Sequence, residues 1–213
     1  MSDSKQADND ESKSADEIKA ERHKARQQRV KEGVDAKIAR ATEEKGILLV
    51  LTGNGKGKST SGFGTVARAV GHGKKAAVVQ FIKGNWECGE RTLLEGAGVA
   101  FHVMGTGFTW ETQDREKDTA AAVKAWDATE KLLQDESIDL VMLDELTYMV
   151  SYHYLEVERV IKALQNRPKM QHVIVTGRAC HRAIVEIADT VSEVQPIKHA
   201  FEAGVKAQPG FDY

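Results

Sequence analysis

A glycine-rich run that follows the apolar segment 46–52 is the stretch of the sequence best suited to bind phosphate. It reads Gly53-Asn54-Gly55-Lys56-Gly57-Lys58-Ser59-Thr60. Glycines let backbone N–H groups turn toward phosphate oxygens, and a helix that begins after them adds unpaired N–H groups and the positive end of its dipole. Lys58 adds a mobile ammonium group, and the Ser59 hydroxyl is a ligand that Mg²⁺ accepts. The run predicts a binding site for the phosphates of a Mg²⁺-nucleotide.

This run is one residue shorter than the common phosphate-binding loop. The common pattern has four residues between its first glycine and the Gly-Lys-Ser/Thr end. Here three residues separate Gly53 from Gly57, and Thr52 occupies the place of the usual first glycine. The phosphates therefore need not follow the path that they take in an ordinary NTPase.

An acidic pair at the end of the apolar segment 140–143 is the second group of candidate ligands. Asp144 and Glu145 follow that segment directly, as in a Walker B segment. At the carboxyl edge of a parallel sheet, two carboxylates face the phosphates and reach Mg²⁺ directly or through water. We favour Glu145 as the closer ligand of the metal, with Asp144 second.

Two arginines are further candidates for contact with the nucleotide. Arg178 follows the predicted strand 172–176, at the same sheet edge, where it would neutralise the charge of a triphosphate. Arg68 lies in the helix predicted after the glycine-rich run, about three turns along it. For each of them, an ordinary surface arginine is the alternative interpretation.

Apolar segments that alternate with helix-like segments must position these residues. Strands are predicted at 46–52, 76–82, 99–104, 138–143, 172–176 and 190–194. Helical patterns lie between them, at about 58–70, 114–133 and 155–164. Such alternation predicts a parallel sheet, and continuously apolar strands indicate burial on both of its faces. We predict a P-loop NTPase-like three-layer α/β sandwich with a mostly parallel sheet of about six strands and helices on both faces.

The charged residues divide the chain into a polar leader and a body. Residues 1–45 contain 11 acidic and 11 basic side chains and no aromatic residue, whereas the following 168 residues contain all 13 aromatic residues. We predict a disordered leader over 1–20, a helical arm over 21–45 and one nucleotide-binding domain over 46–213. Ser14 and Glu17 have capping-box spacing, and Gly33 is a candidate break in the arm.

Composition and charge argue against several classes of protein. With 30 basic and 32 acidic residues, the net charge of −2 disfavours a basic nucleic-acid-binding protein and a polybasic membrane-surface protein. The longest apolar run is too short to span a bilayer, and the N-terminus lacks the apolar core of a secretory signal. Cys88 and Cys180 form neither a disulfide framework nor a spaced metal motif. We expect a soluble, cytoplasmic protein with free thiols that binds neither nucleic acid nor membrane.

The segment Gly105–Thr112 carries two large aromatic side chains, Phe108 and Trp110, in a loop rich in glycine and threonine. Loops at the carboxyl edge of a sheet are where ligands bind. One interpretation is therefore an apolar or aromatic ligand next to the triphosphate. The other is that both side chains fold back onto the core.

Five runs of the sequence together resemble the P-loop type of ATP:corrinoid adenosyltransferase. This family is also called cob(I)alamin or cob(I)yrinic acid a,c-diamide adenosyltransferase. The runs are Gly53–Thr60, Val79–Gly84, Gly107–Thr112, Leu143–Tyr148 and Lys198–Phe201. The resemblance covers residues 25–213. Ser59 stands where the family often has threonine, which keeps the hydroxyl group.

The resemblance implies a reaction in which the Co(I) of a reduced corrinoid attacks the 5′ carbon of ATP and tripolyphosphate leaves. Because Co(I) is a strong nucleophile, no protein base is required. Lys58 and Arg178 would stabilise the leaving group together with Mg²⁺, which Ser59 and Glu145 would hold. The nucleotide would lie in the loop in reversed polarity.

The resemblance also implies partners. Phe108 and Trp110 would pack under the corrin ring and displace its lower axial ligand, which eases reduction to Co(I). The family acts as a homodimer in which an N-terminal helix helps to cover the corrinoid, and a flavoprotein is the expected reductant.

Without the resemblance, the residues leave two other functions open. One is an ATP-hydrolysing P-loop switch or assembly factor, in which Glu145 activates water and the aromatic residues bind a protein. The other is a small-molecule phosphotransferase. The chain has no Asn-Lys-x-Asp motif, which disfavours a GTPase. Adenosyl transfer to a corrinoid, in adenosylcobalamin biosynthesis or salvage, is the leading interpretation.

Overall fold

The architecture is taken from a computed structural model that describes residues 14–82, 88–105 and 114–212. Within this part of the chain lie six strands. They are β1 (Leu48–Thr52), β2 (Ala76–Gln80), β3 (Ala100–Val103), β4 (Leu140–Asp144), β5 (His172–Thr176) and β6 (Thr190–Glu193). All six predicted strands are confirmed, with ends that differ from the predicted ones by at most two residues.

Seven helices connect and precede these strands in the described part of the chain. They are α1 (Ala15–Arg40), α2 (Lys58–Gly71), α3 (Gly89–Gly96), α4 (Arg115–Gln134), α5 (Leu146–Ser151), α6 (Val157–Gln165) and α7 (Arg182–Ile187). The predicted helices correspond to α2, α4 and α6, whereas α3, α5 and α7 were not predicted. Within the described residues, no helix combines the length and the apolar character needed to cross a membrane.

All six strands are parallel, in the order β3-β2-β4-β5-β1-β6. Their carboxyl ends therefore meet at one edge of the sheet. At that edge Gln80 of β2 pairs in register with Asp144 of β4, and Leu143 pairs with Val175. The register places the last residues of three adjacent strands side by side, directly in front of the connections that carry the candidate ligands.

The two faces of the sheet pack against different helices. Val50 and Val175 point to the side covered by α4 to α7, where Trp126 is fully buried. Leu51 and Met142 point to the other side, against α2 and α3. This alternation of side chains buries the central strands from both sides, and it confirms the predicted three-layer α/β sandwich.

The chain divides into two compact units between Glu44 and Lys45. The described part of the first unit is α1, which begins with a capping box: the Glu17 N–H donates to Ser14 Oγ at 3.3 Å, and the Ser14 N–H donates to Glu17 Oε2 at 2.7 Å. The helix begins at Ala15, six residues before the predicted start of the arm at residue 21. It runs through Gly33 without interruption, and the predicted break there was wrong.

Candidate active site

The turn 53–57 joins β1 to α2 and depends on glycine at two positions. Gly53 has φ +101° and Gly57 has φ +119°, backbone conformations that other residues rarely adopt. A Cβ atom at Gly53 would also lie 2.5 Å from the carbonyl oxygen of Val194. The Gly55 N–H donates to that same oxygen at 2.7 Å, so the chain that follows β6 supports the turn.

Lys58 is the first residue of α2 and is almost completely buried. Its Nζ donates to the carbonyl oxygen of Gly55 at 2.8 Å, which folds the ammonium group back onto the turn. Burial lowers the pKa of Lys58. The Glu145 and Asp144 carboxylates oppose this pKa shift, whereas the Arg178 guanidinium adds to it. Both predicted acids and the predicted arginine therefore act electrostatically on the lysine of the glycine-rich run.

The remaining residues of the run differ in exposure. Ser59 is half-buried in the first turn of α2, while Asn54 and Thr60 are exposed. Lys56 Nζ forms an ion pair with Asp212 Oδ1 at 2.7 Å and lies 5.5 Å from the centre of the Phe211 ring. The C-terminal segment, residues 197–212, thus contacts the turn, which the sequence did not predict.

Asp144 is the last residue of β4, and its carboxylate is buried and fully engaged by side chains. Thr176 Oγ1 donates to Asp144 Oδ1 at 2.8 Å, and Gln80 Nε2 donates to Asp144 Oδ2 at 3.2 Å. Gln80 and Thr176 are also buried, at the ends of β2 and β5. The acid is therefore held from both neighbouring strands.

Glu145 follows with φ 60° and ψ 24°, a left-handed conformation that is uncommon outside glycine. Its backbone N–H donates to Thr176 Oγ1 at 3.0 Å. Gly177, with φ +137°, packs beside it: a Cβ atom there would collide with Thr147 Oγ1 and lie 3.1 Å from Glu145 Oε2. The half-buried Glu145 side chain thus lies against the turn that follows β5.

The two predicted arginines lie in different places. Arg178 follows Gly177 and is exposed at the edge that carries Lys58. Arg68 lines a cavity of about 260 Å³ together with Leu140 and His172, the first residues of β4 and β5. The structure therefore places Arg68 at the opposite edge of the sheet, away from the glycine-rich turn.

Three contributors to this site were not predicted from the sequence. Two residues that were predicted lie outside the part of the chain that the structure describes. Thr176 and Gln80 were counted as ordinary strand residues, although a polar residue at the buried end of a strand is itself a signal. The C-terminal segment was missed as well. It lines a cavity of about 480 Å³ with Lys56 and Arg178. Phe108 and Trp110 lie outside the described residues.

Comparison with known proteins gives one consistent result. The family described as "ATP:corrinoid adenosyltransferase BtuR/CobO/CobP" matches residues 44–213, and "Cob(I)alamin adenosyltransferase N terminal" matches residues 15–38. The corrinoid adenosyltransferase of Escherichia coli K12 is 64% identical over 193 residues, which cover 91% of this chain and 98% of that protein. The protein of Salmonella typhimurium LT2 is 63% identical over the same shares of both chains. That of Pseudomonas aeruginosa is 53% identical over 92% of this chain and 97% of its own.

Proposed function

Because this chain belongs to the ATP:corrinoid adenosyltransferase family, its activity is the ATP-dependent transfer of an adenosyl group to a corrinoid, and we propose that the carboxyl edge of its sheet is where this reaction takes place. The observation that carries the proposal is geometric: the glycine-rich turn, Glu145 and Arg178 follow three parallel strands, β1, β4 and β5, at the same edge of the sheet. The comparisons give no support to the alternative of an ATP-hydrolysing switch.

We infer that the turn 53–57 and the first turn of α2 hold the triphosphate. The Lys58 ammonium group would exchange its 2.8 Å hydrogen bond to Gly55 for a phosphate oxygen. Arg178, exposed at the same edge, would bind the phosphates from the other side. By the resemblance, the nucleotide would lie in this shortened turn in reversed polarity, which would present the 5′ carbon of ATP to the corrinoid.

The chemistry that follows needs positioning more than acid–base catalysis. The electron pair of Co(I) forms the cobalt–carbon bond. The bond between the 5′ carbon and its oxygen breaks, and the electron pair of this broken bond leaves with tripolyphosphate. The protein must align the two substrates and stabilise the charge that develops on the leaving group. Lys58 and Arg178 are the groups that we assign to this task.

A divalent metal fits the donor groups at this edge. The hydroxyl of Ser59 and the carboxylates of Glu145 and Asp144 are hard oxygen donors, which Mg²⁺ prefers. Among the described residues, no group of three or more His, Cys, Asp or Glu side chains is arranged to hold a metal by itself. This suits Mg²⁺, which commonly shares one or two carboxylates with the phosphates of a substrate. When bound, it would neutralise charge on the leaving group.

We assign the direct contact with Mg²⁺ to Glu145 and a supporting role to Asp144. Both oxygens of Asp144 already accept hydrogen bonds from Gln80 and Thr176. An acid held in this way suits a contact through water, or the orientation of its neighbours, better than direct coordination.

The remaining parts of the proposal come from the resemblance. Phe108 and Trp110 would pack under the corrin ring, a flavoprotein would supply electrons, and the enzyme would act as a cytoplasmic homodimer. Helix α1 has no buried residue among those described, and its Val30, Val34 and Ile38 are exposed. By the resemblance, an N-terminal helix would help to cover the corrinoid.

The products of the reaction test the proposed function. The protein is incubated anaerobically with ATP, Mg²⁺, a corrinoid and a chemical reductant. We expect tripolyphosphate and a light-sensitive adenosylcorrinoid in equal amounts. Formation of ADP and phosphate, or of a phosphorylated acceptor, without a change in corrin absorbance would contradict the proposal.

A further inference from the structure

We propose that Thr176 and Gln80 are positioning residues that set the two acids of the site, Asp144 and Glu145, for the metal–triphosphate complex. The inference rests on the proposed function of this edge and deepens it. It concerns two uncharged side chains that lie at the ends of β5 and β2, on either side of Asp144.

A single hydroxyl group connects the two acids. Thr176 Oγ1 donates to Asp144 Oδ1 at 2.8 Å and accepts the backbone N–H of Glu145 at 3.0 Å. A hydroxyl group offers one donor and two acceptor sites, so it serves both partners at once. Thr176 is fully buried, and water therefore has no direct access to replace either bond.

The second of these bonds restrains an unusual backbone. Glu145 has φ 60° and ψ 24°, a conformation that persists in a residue other than glycine only where its surroundings hold it. The same residue turns the chain from β4 into α5. The position of the Glu145 carboxylate therefore depends on the bond between its N–H and Thr176.

Gln80 fixes Asp144 from the other side. Its Nε2 donates to Asp144 Oδ2 at 3.2 Å, and the two residues are register partners of β2 and β4. A buried amide side chain is costly unless its hydrogen bonds are made. The contacts thus tie three adjacent strands, β2, β4 and β5, into one support for the acids.

The two acids held by this network also act on Lys58, the lysine that we assign to phosphate binding. The charges of Glu145 and Asp144 act on the Lys58 ammonium group, and Gly177, directly after Thr176, packs against the Glu145 side chain. A shift of Thr176 would therefore move the acids relative to Lys58. We infer that the network sets the metal-dependent part of ATP binding and leaves the contacts of the turn 53–57 unchanged.

Calorimetric titration with ATP separates these two parts of binding. It is performed with excess Mg²⁺ and, separately, with EDTA. The dissociation constant in EDTA divided by the dissociation constant in Mg²⁺ gives the factor by which the metal tightens ATP binding. We expect Thr176→Val to lower this ratio by about tenfold, while the affinity measured in EDTA stays within about twofold of wild type. Thr176→Ser, which keeps the hydroxyl group, should retain the ratio within about threefold.

Gln80→Met is the second variant, since it keeps the length of the side chain and removes the amide group. It should lower the same ratio with the same sparing of binding in EDTA. A merely structural role predicts equal losses with and without Mg²⁺, and that result in the folded variants would overturn the inference. So would unchanged ratios in both variants, or a wild-type protein that binds ATP equally well in both conditions.

A measurement on the wild-type protein covers the case in which the variants fail to fold. The backbone amide of Glu145 should exchange its hydrogen slowly, because it is bonded to a buried hydroxyl group. Exchange as fast as that of exposed loop amides would overturn the proposal. Absence of adenosyl transfer in the wild type would instead contradict the proposed function, while the binding ratios would still test the positioning of the acids.

Discussion

The Lys56 ammonium group lies 2.7 Å from Asp212 Oδ1, and this ion pair joins the C-terminal segment to the glycine-rich turn. The Lys56 contact, followed by a hydrogen bond from the Gln208 N–H, lowers the pKa of the Asp212 carboxyl group. ATP would bring its own negative charges to the same ammonium group. We therefore expect Asp212 to compete with the triphosphate for Lys56.

Replacement of Asp212 by Asn should tighten ATP binding. Without its negative charge, the C-terminal segment no longer competes for Lys56, and the dissociation constant measured in EDTA at low salt should fall by about two- to fivefold. Because the pair is partly exposed, added salt should shrink this difference. Calorimetry at two ionic strengths measures both effects.

The matched control for Asp212→Asn is Glu136→Gln, which removes an exposed negative charge before β4, at the other end of the strands. It should leave ATP binding unchanged at both salt concentrations. Weaker binding by Asp212→Asn, or an equal gain from both variants, would contradict competition for Lys56.

Gly177 is a position where a single added methyl group should harm the site. Gly177→Ala combines a backbone with φ +137° and a collision with Thr147 Oγ1. We expect the free energy of unfolding to fall by about 2–4 kcal/mol. Adenosyl transfer should fall by about tenfold or more even where the variant is fully folded, because the methyl group would lie beside the Glu145 carboxylate. Urea unfolding and a rate assay measure these effects.

Gly64→Ala is the control for this change. Gly64 lies in α2 with open space around the place of a Cβ atom. Alanine there should leave activity unchanged and raise the free energy of unfolding by up to about 1 kcal/mol. Similar stabilities of the two variants would refute the argument for steric crowding at Gly177.

The ends of the strands show which parts of the site the sequence made predictable. Lys58 was found because it belongs to a glycine-rich run that follows an apolar segment, and Asp144 was found because it stands where an apolar segment ends. Thr176 and Gln80 were missed because their partners are distant in sequence: Asp144 lies 32 residues before the first and 64 after the second. Only the register of three strands brings them together, and apolar periodicity does not define register.

Helix direction and helix length explain the other differences. Arg68 lies ten residues beyond Lys58 in α2, about 15 Å along an axis that leads away from the carboxyl edge. Helices α5 and α7 have six residues each, too few to show a helical period. Gly33 lowers helix propensity by about 1 kcal/mol relative to alanine, which the long, capped α1 tolerates.

Asp189 should make stability depend on pH. Its Oδ2 accepts the Leu48 N–H at 2.8 Å and its Oδ1 pairs with Lys45 at 2.6 Å, so it connects the start of β6 to the start of β1. The Leu48 bond first, then Lys45, lowers the pKa of Asp189 below its ordinary value of 3.8. A lowered pKa in the folded state means stabilisation that is present above 3.8 and lost as the pH falls through the lowered value.

Asp189→Asn tests this dependence. At pH 7 the substitution should lower the free energy of unfolding by about 1–2 kcal/mol, because a charge-assisted hydrogen bond and an ion pair are weakened. The difference between the free energies of unfolding of the variant and the wild type should become smaller as the pH is lowered below 3.8. Urea unfolding at pH 7, 5, 4 and 3 measures it, and a difference that stays constant over this range would exclude titration of Asp189 as its cause.

The aromatic residues Phe108 and Trp110 make the sharpest test of how the corrinoid is prepared. If they displace the lower axial ligand, their replacement by Ala should slow turnover of a corrinoid supplied with that ligand attached by about tenfold or more. A corrinoid supplied as Co(I) no longer needs the displacement, so its turnover should suffer less. Leu93→Ala, which removes an exposed apolar side chain from α3, should affect neither reaction. Equal losses with both substrates would assign the two aromatic residues to general binding of the corrinoid, and the displacement role would have to be abandoned.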